Sequence, residues 1–148
     1  MQPIPQPDSV FLDSLPHRTR GDFTLRNARS GSLLANSVHI AFDFRSRLQG
    51  LLGRRSLERG QALVLAPCNT VHTFFMKFSI DVLFMSGSGT VLTVLPGLKP
   101  WRFATSKGAA AAIELCAGTI DLSATRVGDR LVCFQNRLGH SIDTANSV

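Results

Sequence analysis

Residues 67–84 read PCNTVHTFFMKFSIDVLF. The stretch opens on a polar cluster around Cys68 and His72 and passes through Phe74, Phe75 and Phe78. It ends with Asp81 at the head of the apolar run Val82-Leu83-Phe84-Met85. A carboxylate that leads straight into such a run is costly to bury unless it is paired. Asp81, with Lys77 and His72 nearby in sequence, is therefore the first place to look for chemistry. Residues 82–85, the turn sequence Ser86-Gly87-Ser88-Gly89 and the run TVLTVL at 90–95 form the clearest hairpin signal in the chain.

The rest of the chain repeats this β texture. Residues 62–65 (ALVL) read as a short buried strand. Residues 38–42 alternate, with Val38, Ile40 and Phe42 on one face and His39 on the solvated one. Residues 23–25 and 33–35 flank a turn at 29–32 and suggest a second hairpin. Residues 109–115 are alanine-rich, but the ending at 113–118 (IELCAG) favours a strand running into a turn. A helical turn is expected at 122–125, and a turn at 127–130 before a last strand at 131–134. Asp129 reads as a turn former bonded to local backbone.

One helix interrupts the strands. Asp43 fits its N-cap, and Phe44, Leu48, Leu51 and Leu52 form a buried stripe. At 100° per residue, Arg47 and Arg54 project within roughly 20° of each other on the flank of that stripe. Such a pair suits a carboxylate or phosphate, or internal acids such as Asp81 and Glu114. Many short strands with one early helix predict a mainly β fold: a single compact antiparallel β-sandwich or barrel-like domain with one short helix packed against it. The domain is expected over 22–135. A disordered Pro-rich leader (1–21) would precede it and a flexible tail (136–148) would follow.

Composition narrows the function classes. The chain has 148 residues, 44% of them apolar and 18% charged, as in ordinary globular proteins. No stretch reaches the ~18 uninterrupted apolar residues that a membrane span needs, and no signal-peptide pattern opens the chain, so a cytoplasmic location is expected. The net charge of +6 invites a nucleic-acid reading. Its distribution argues against one, because nine of the sixteen basic residues are arginines spread between Arg18 and Arg59, and no Lys/Arg run exceeds two. Cys68, Cys116 and Cys133 are an odd number at wide spacing and read as buried small residues.

Taken together, RLQGLLGR (47–54), the 67–84 stretch, LKPWR (98–102), IELCAG (113–118) and VGDRL (127–131) resemble the DUF192 family, small bacterial and archaeal proteins without an assigned function. The resemblance implies a compact, mainly antiparallel β domain with the GLLGR segment as a helix against it. Carried over by position, it picks out Arg47, Arg54, His72, Met76, Lys77, Asp81, Glu114 and Asp129, and brings no catalytic mechanism. It also implies that some relatives carry export signals, where this chain has its Pro-rich leader.

Several chemistries compete for these residues. Cys68 and His72 have the spacing of two metal ligands, but a zinc site needs three or four, so no metal or other cofactor is expected. As nucleophile and base the same two would need a turn at Asn69-Thr70, because residues four apart in a strand lie about 13 Å apart. Asp81 and Glu114 are the best carboxylate pair for a hydrolase, since unlike environments would divide acid and base roles between them. The plainer reading is an ion-pair network locking helix to sheet. Phe74, Phe75, Met76 and Phe78 would form a stacking platform in a nucleic-acid module, but read more simply as core filling. Trp101, between Lys99 and Arg102 in a Pro-bounded loop, suits a pocket rim or a core lid. The balance favours a module that binds a small polar or anionic ligand, or a partner segment. Its pocket would be walled by the 43–54 helix and the 67–81 segment and lined by Arg47, Arg54, His72, Lys77, Asp81, Trp101 and Glu114. A hydrolase and a basic nucleic-acid accessory protein are the alternatives.

Overall fold

The computed structural model of the protein describes Leu15, residues 23–41 and residues 55–136. Among the described residues the chain runs through nine strands and one short helix. These are β1 (Phe23–Asn27), β2 (Leu33–Ala41), β3 (Gly60–Leu65), β4 (Thr70–His72), β5 (Ile80–Met85), β6 (Val91–Leu98), β7 (Phe103–Thr105), β8 (Ala111–Cys116), α1 (Thr119–Ser123) and β9 (Leu131–Gln135). Seven strands form one sheet in the order β6-β5-β8-β3-β2-β1-β9, and β4 pairs with β7 as a separate ribbon.

Both expected hairpins form, β1 with β2 and β5 with β6. The sheet is not wholly antiparallel, however. β2 and β3 run parallel, with Ile40 opposite Val64. Parallel neighbours need a long crossover in place of a tight turn, and residues 42–59 supply the length. The helix expected at 43–54, with Arg47 and Arg54, lies outside the described residues. The helical turn expected at 122–125 begins earlier, at Thr119.

Strand alternation sorts the side chains into two cores. Leu25, Val38, Ile40, Val64, Leu83, Met85, Ile113 and Leu115 fill the concave interior, and Leu15 from the leader buries its side chain among them. Leu63, Leu65, Ile80, Val82, Phe84 and Ala112 form the outer core, under Val71 and Met76. Every residue of β5 is buried, which explains its unbroken apolar run.

The sheet curls until its two edge strands touch. Thr90 bridges to Arg130, the Val91 N–H donates to the Asp129 carbonyl at 2.8 Å, and the Gly128 N–H donates to the Val91 carbonyl at 2.9 Å. Asp129, only 4% exposed, clasps this seam. Its carboxylate accepts from Arg29 Nε at 2.6 Å, Arg29 Nη2 at 3.0 Å, Asn27 Nδ2 at 2.8 Å and the Arg126 N–H at 3.0 Å. The last bond is the local turn contact expected from sequence. The others tie the β1–β2 turn to the loop before β9.

Hydrogen bonds to charged groups contribute about 1.5–3 kcal/mol each. Asp129→Ala, which strands Asn27 and Arg29 at the seam, is expected to lower unfolding free energy by about 3 kcal/mol in urea denaturation. A loss within ~0.5 kcal/mol, the range of ordinary surface substitutions, would contradict the clasp. The Arg29 guanidinium also holds the Asp129 carboxyl well below the usual carboxylate range. Its contribution to stability is therefore present above about pH 4 and is lost as pH falls through the depressed value.

Candidate functional site

The structure separates the two carboxylates that the sequence suggested as a pair. In the β5–β8 ladder Asp81 lies opposite Leu115, and Val82 lies opposite Glu114. Alternation then sends Asp81 to the interior face and Glu114 to the outer face. The two carboxyl groups do not form a shared acid–base site.

Asp81 is a structural acceptor. The β5–β6 register passes from Ile80↔Leu98 to Val82↔Leu95, so Pro96 and Gly97 together oppose Asp81 in a bulge. The bulge takes the Gly97 N–H out of the ladder, and Asp81 Oδ1 accepts it at 2.8 Å. Asp81 Oδ2 accepts from the Gly118 N–H at 3.1 Å and the Ile120 N–H at 2.8 Å. Gly118, at φ 94°, has no side chain with which to cap α1, so a carboxylate from a neighbouring strand does so. Asp81 is fully buried with both oxygens engaged, which removes it from any ligand site.

Glu114 is different. It is 5% exposed, and Leu63 and Val82 are its cross-strand neighbours. Its carboxyl makes no hydrogen bond or ion pair with any described residue. Burial pushes it up from its ordinary value of 4.5 to about 7.

The remaining candidates gather at one end of the β4–β7 ribbon. The register Thr70↔Thr105, Val71↔Ala104 and His72↔Phe103 turns Val71 and Ala104 inward against the outer core. Thr70, His72, Phe103 and Thr105 face solvent. Past His72 the chain leaves the strand, and Phe75 and Trp101 adopt left-handed φ values of 64° and 61°. Such a conformation costs roughly 1–2 kcal/mol for a residue with a side chain, so the surroundings must impose it.

Thr73, fully buried, imposes it. Its N–H donates to the Arg102 carbonyl at 2.8 Å and its hydroxyl to the Lys99 carbonyl at 2.6 Å. Its carbonyl accepts from the Trp101 N–H at 3.0 Å and the Met76 N–H at 3.2 Å, and its hydroxyl accepts from the Arg102 N–H at 3.0 Å. One threonine thus locks two loops together.

The lock turns aromatic rings outward. His72 stacks on Phe74 with centroids 5.0 Å apart, Phe74 approaches Trp101 at 6.1 Å, and Trp101 meets Phe75 at 4.7 Å. Phe75 is 70%, Phe103 67% and Trp101 55% exposed. Phe74 and Phe75 are therefore not core filling. Met76 is buried and Phe78 half-buried, so those two do pack inward. Lys77, Lys99 and Arg102 are exposed, and each lies within two residues of Phe75 or Trp101 along the chain. Between residues 59 and 113 the only acidic residue is Asp81, and it is buried, so this stretch presents cations and aromatics to solvent without a carboxylate.

Of the expected site, the structure brings His72, Lys77 and Trp101 to the ribbon end and excludes Asp81. Glu114 stands apart on the sheet, and Arg47 and Arg54 lie outside the described residues. Thr73 and Phe103 escaped the sequence reading. The alternation of Phe103-Ala104-Thr105 against Thr70-Val71-His72 is the signal that marks Phe103, whereas nothing local distinguishes Thr73. Cys68 and His72 do not act together: Cys68 packs toward the outer core with its thiol donating to the Thr70 carbonyl at 3.1 Å, while His72 faces solvent. Among the described residues no three His, Cys, Asp or Glu side chains converge as metal ligands, and no helix is long and apolar enough to cross a membrane. Burial pushes the Cys133 thiol up to about 11, which keeps it unreactive.

The family model of DUF192, described as "Uncharacterized ACR", matches residues 25–133. The chain belongs to the DUF192 family. It is 34% identical over 113 residues to a UPF0127 protein of Thermococcus sibiricus, covering 72% of each chain. It is 35% identical over 111 residues to a UPF0127 protein of Pyrococcus furiosus, covering 71% of this chain and 93% of the relative. Among solved structures, a Sinorhizobium meliloti protein provisionally described as a transcription regulator superposes with a TM-score of 0.65 at 27% identity, covering 74% of this chain and 89% of the neighbour. A Novosphingobium aromaticivorans protein of unknown function shares the fold at 17% identity, with a TM-score of 0.64 over 74% of this chain and 81% of its own.

Two substitutions test the roles of these carboxyl groups. Asp81→Asn keeps one acceptor oxygen and places an amide N–H against backbone donors. It is expected to lower the melting temperature by about 8 °C or more, the shift that ~2 kcal/mol produces in a domain of this size. Wild-type stability with the asparagine would contradict this role. Glu114, whose folded value lies above its unfolded one, stabilises fully below about pH 4.5 and loses that contribution as pH rises toward 7. The displacement amounts to about 3 kcal/mol. Glu114→Gln is expected to remove this slope, measured as the difference in urea stability between the two proteins from pH 5 to pH 8. A constant difference across that range would contradict it.

Proposed function

We propose that this DUF192 protein is a binding module for an anionic ligand, which it engages through the aromatic and basic end of the β4–β7 ribbon. The observation that carries the reading is the outward set of rings held by Thr73 among Lys77, Lys99 and Arg102. Large exposed aromatics held in strained conformations are expensive, and proteins keep such features at binding sites. The surrounding positive potential selects for anions and speeds their encounter. A hydrolase reading has little support. Asp81 is engaged by three backbone N–H groups, Glu114 lacks a partner carboxylate, and Cys68 and His72 face different ways. The description of the Sinorhizobium meliloti neighbour as a regulator also points toward binding rather than turnover.

The chain carries one tryptophan and no tyrosine, so its intrinsic emission reports on Trp101 alone. Titration with heparin, a flexible polyanion without aromatic rings, is expected to change that emission saturably. Replacing Lys77, Lys99 and Arg102 together by alanine should weaken the response at least tenfold while leaving thermal unfolding unchanged. Heparin binding that survives the triple replacement, or that leaves Trp101 emission untouched, would overturn the reading.

A further inference from the structure

Resting on the anion-binding reading above, we infer that the ligand class is single-stranded nucleic acid, with bases stacked on the ribbon's rings and phosphates held by Lys77, Lys99 and Arg102. Three features favour this class. The first is the rings' arrangement. His72 and Phe103 form a cross-strand pair on the solvent face of an antiparallel ribbon, and Phe75 and Trp101 continue that aromatic surface past its end. Base–aromatic stacking needs ring faces open to solvent along a track. A lone buried tryptophan would not provide it.

The second feature is the charge. Each of the three cations lies within two residues of an exposed ring: Lys77 beside Phe75, and Lys99 and Arg102 beside Trp101. A strand whose charges alternate with planar bases meets that alternation directly. Residues 60–112 expose no carboxylate, so this stretch itself adds no repulsion toward phosphates.

The third feature is the polar continuation of the ribbon. Thr70 and Thr105 are exposed beside the His72–Phe103 pair, with their hydroxyls joined at 3.1 Å and the Thr105 hydroxyl donating to the Asn69 carbonyl at 3.1 Å. Hydroxyl and amide groups flanking the rings suit base edges and sugars. In a duplex the base faces are hidden, so stacking on these rings selects the single strand.

The test uses the full chain and a fluorescein-labelled oligothymidylate of about a dozen nucleotides, within the span of about 4–16 that single-strand-binding folds cover. Fluorescence anisotropy is expected to show saturable binding. The plot of log affinity against log salt should have a slope of about −2, as release of counterions from three phosphates requires for a single strand. Lys99→Ala should reduce that slope by about 0.7. Phe103→Ala, at an exposed position where folding is not at stake, should weaken oligothymidylate binding at least about fivefold, the smallest effect of losing one stacked base. The same variant should weaken heparin binding much less than it weakens oligothymidylate binding, because heparin has no base to stack on the ring. A duplex of equal length should bind at least tenfold more weakly.

The outcomes separate the two readings. Heparin binding that depends on the three cations, together with oligothymidylate binding indifferent to Phe103, would overturn the nucleic-acid inference and leave the anion-binding module standing. Retention by phosphatidylserine vesicles without oligothymidylate binding would overturn it in favour of a lipid surface. Failure to bind either polymer would remove both.

Discussion

A charge placed in an apolar strand must be satisfied, and much of this molecule is arranged to satisfy one. Asp81 sits on a strand buried along its whole length. Its two oxygens collect three backbone N–H groups, one from the β6 bulge and two from the head of α1. The bulge would otherwise leave the Gly97 N–H without a strand partner, and the helix would begin on a glycine with nothing to cap it. One carboxylate thus fixes the edge strand, the sheet and the helix in a single arrangement. Asp129 repeats the device at the opposite edge, where a buried acid draws Asn27, Arg29 and the Arg126 N–H across the seam of the curled sheet.

With the frame held from inside, one surface can depart from the usual rules. The end of the β4–β7 ribbon keeps phenylalanine and tryptophan rings in water and two non-glycine residues in left-handed backbone conformations. Neither is favourable locally. Thr73 makes both possible because its backbone and hydroxyl bond to both loops from a fully buried position. The inward faces of the same strands, through Val71 and Ala104, anchor the platform on the outer core. Rigid support beneath exposed aromatics lowers the entropy that a ligand would otherwise have to overcome on binding.

Much of the β architecture was legible in the sequence because hairpin signals are local. The Ser86-Gly87-Ser88-Gly89 turn between two apolar runs is visible in a short window, and β5 and β6 form around it. Trp101, between cations in a proline-bounded loop, reads equally as a pocket rim or a core lid, and only its exposure in the fold separates the two. What escaped was long-range. The parallel β2–β3 pair depends on a crossover whose course leaves no local trace. The facing of Asp81 and Glu114 depends on the register of two strands more than thirty positions apart, and a one-residue offset sends side chains to opposite faces. Phe74 and Phe75 read as core because aromatics in a β-rich run usually are. The chain leaves the strand at Thr73, and that departure is set by hydrogen bonds to residues 99–102.

The two kinds of polar residue at the protein's heart therefore serve different ends. Asp81 and Asp129 are engaged and structural, while Glu114 is buried without a described partner, and burial raises its pKa. The ribbon end carries the recognition proposed for the protein. The most direct test is the ¹H–¹⁵N spectrum of the labelled chain, in which Trp101 contributes the one indole N–H signal, recorded with and without unlabelled oligothymidylate. The expected result is movement of that indole signal and of the backbone amides of residues 70–77 and 99–105, with those of α1 and β9 unmoved. Shifts concentrated elsewhere, with the Trp101 signal fixed, would contradict the assignment of this surface as the binding face.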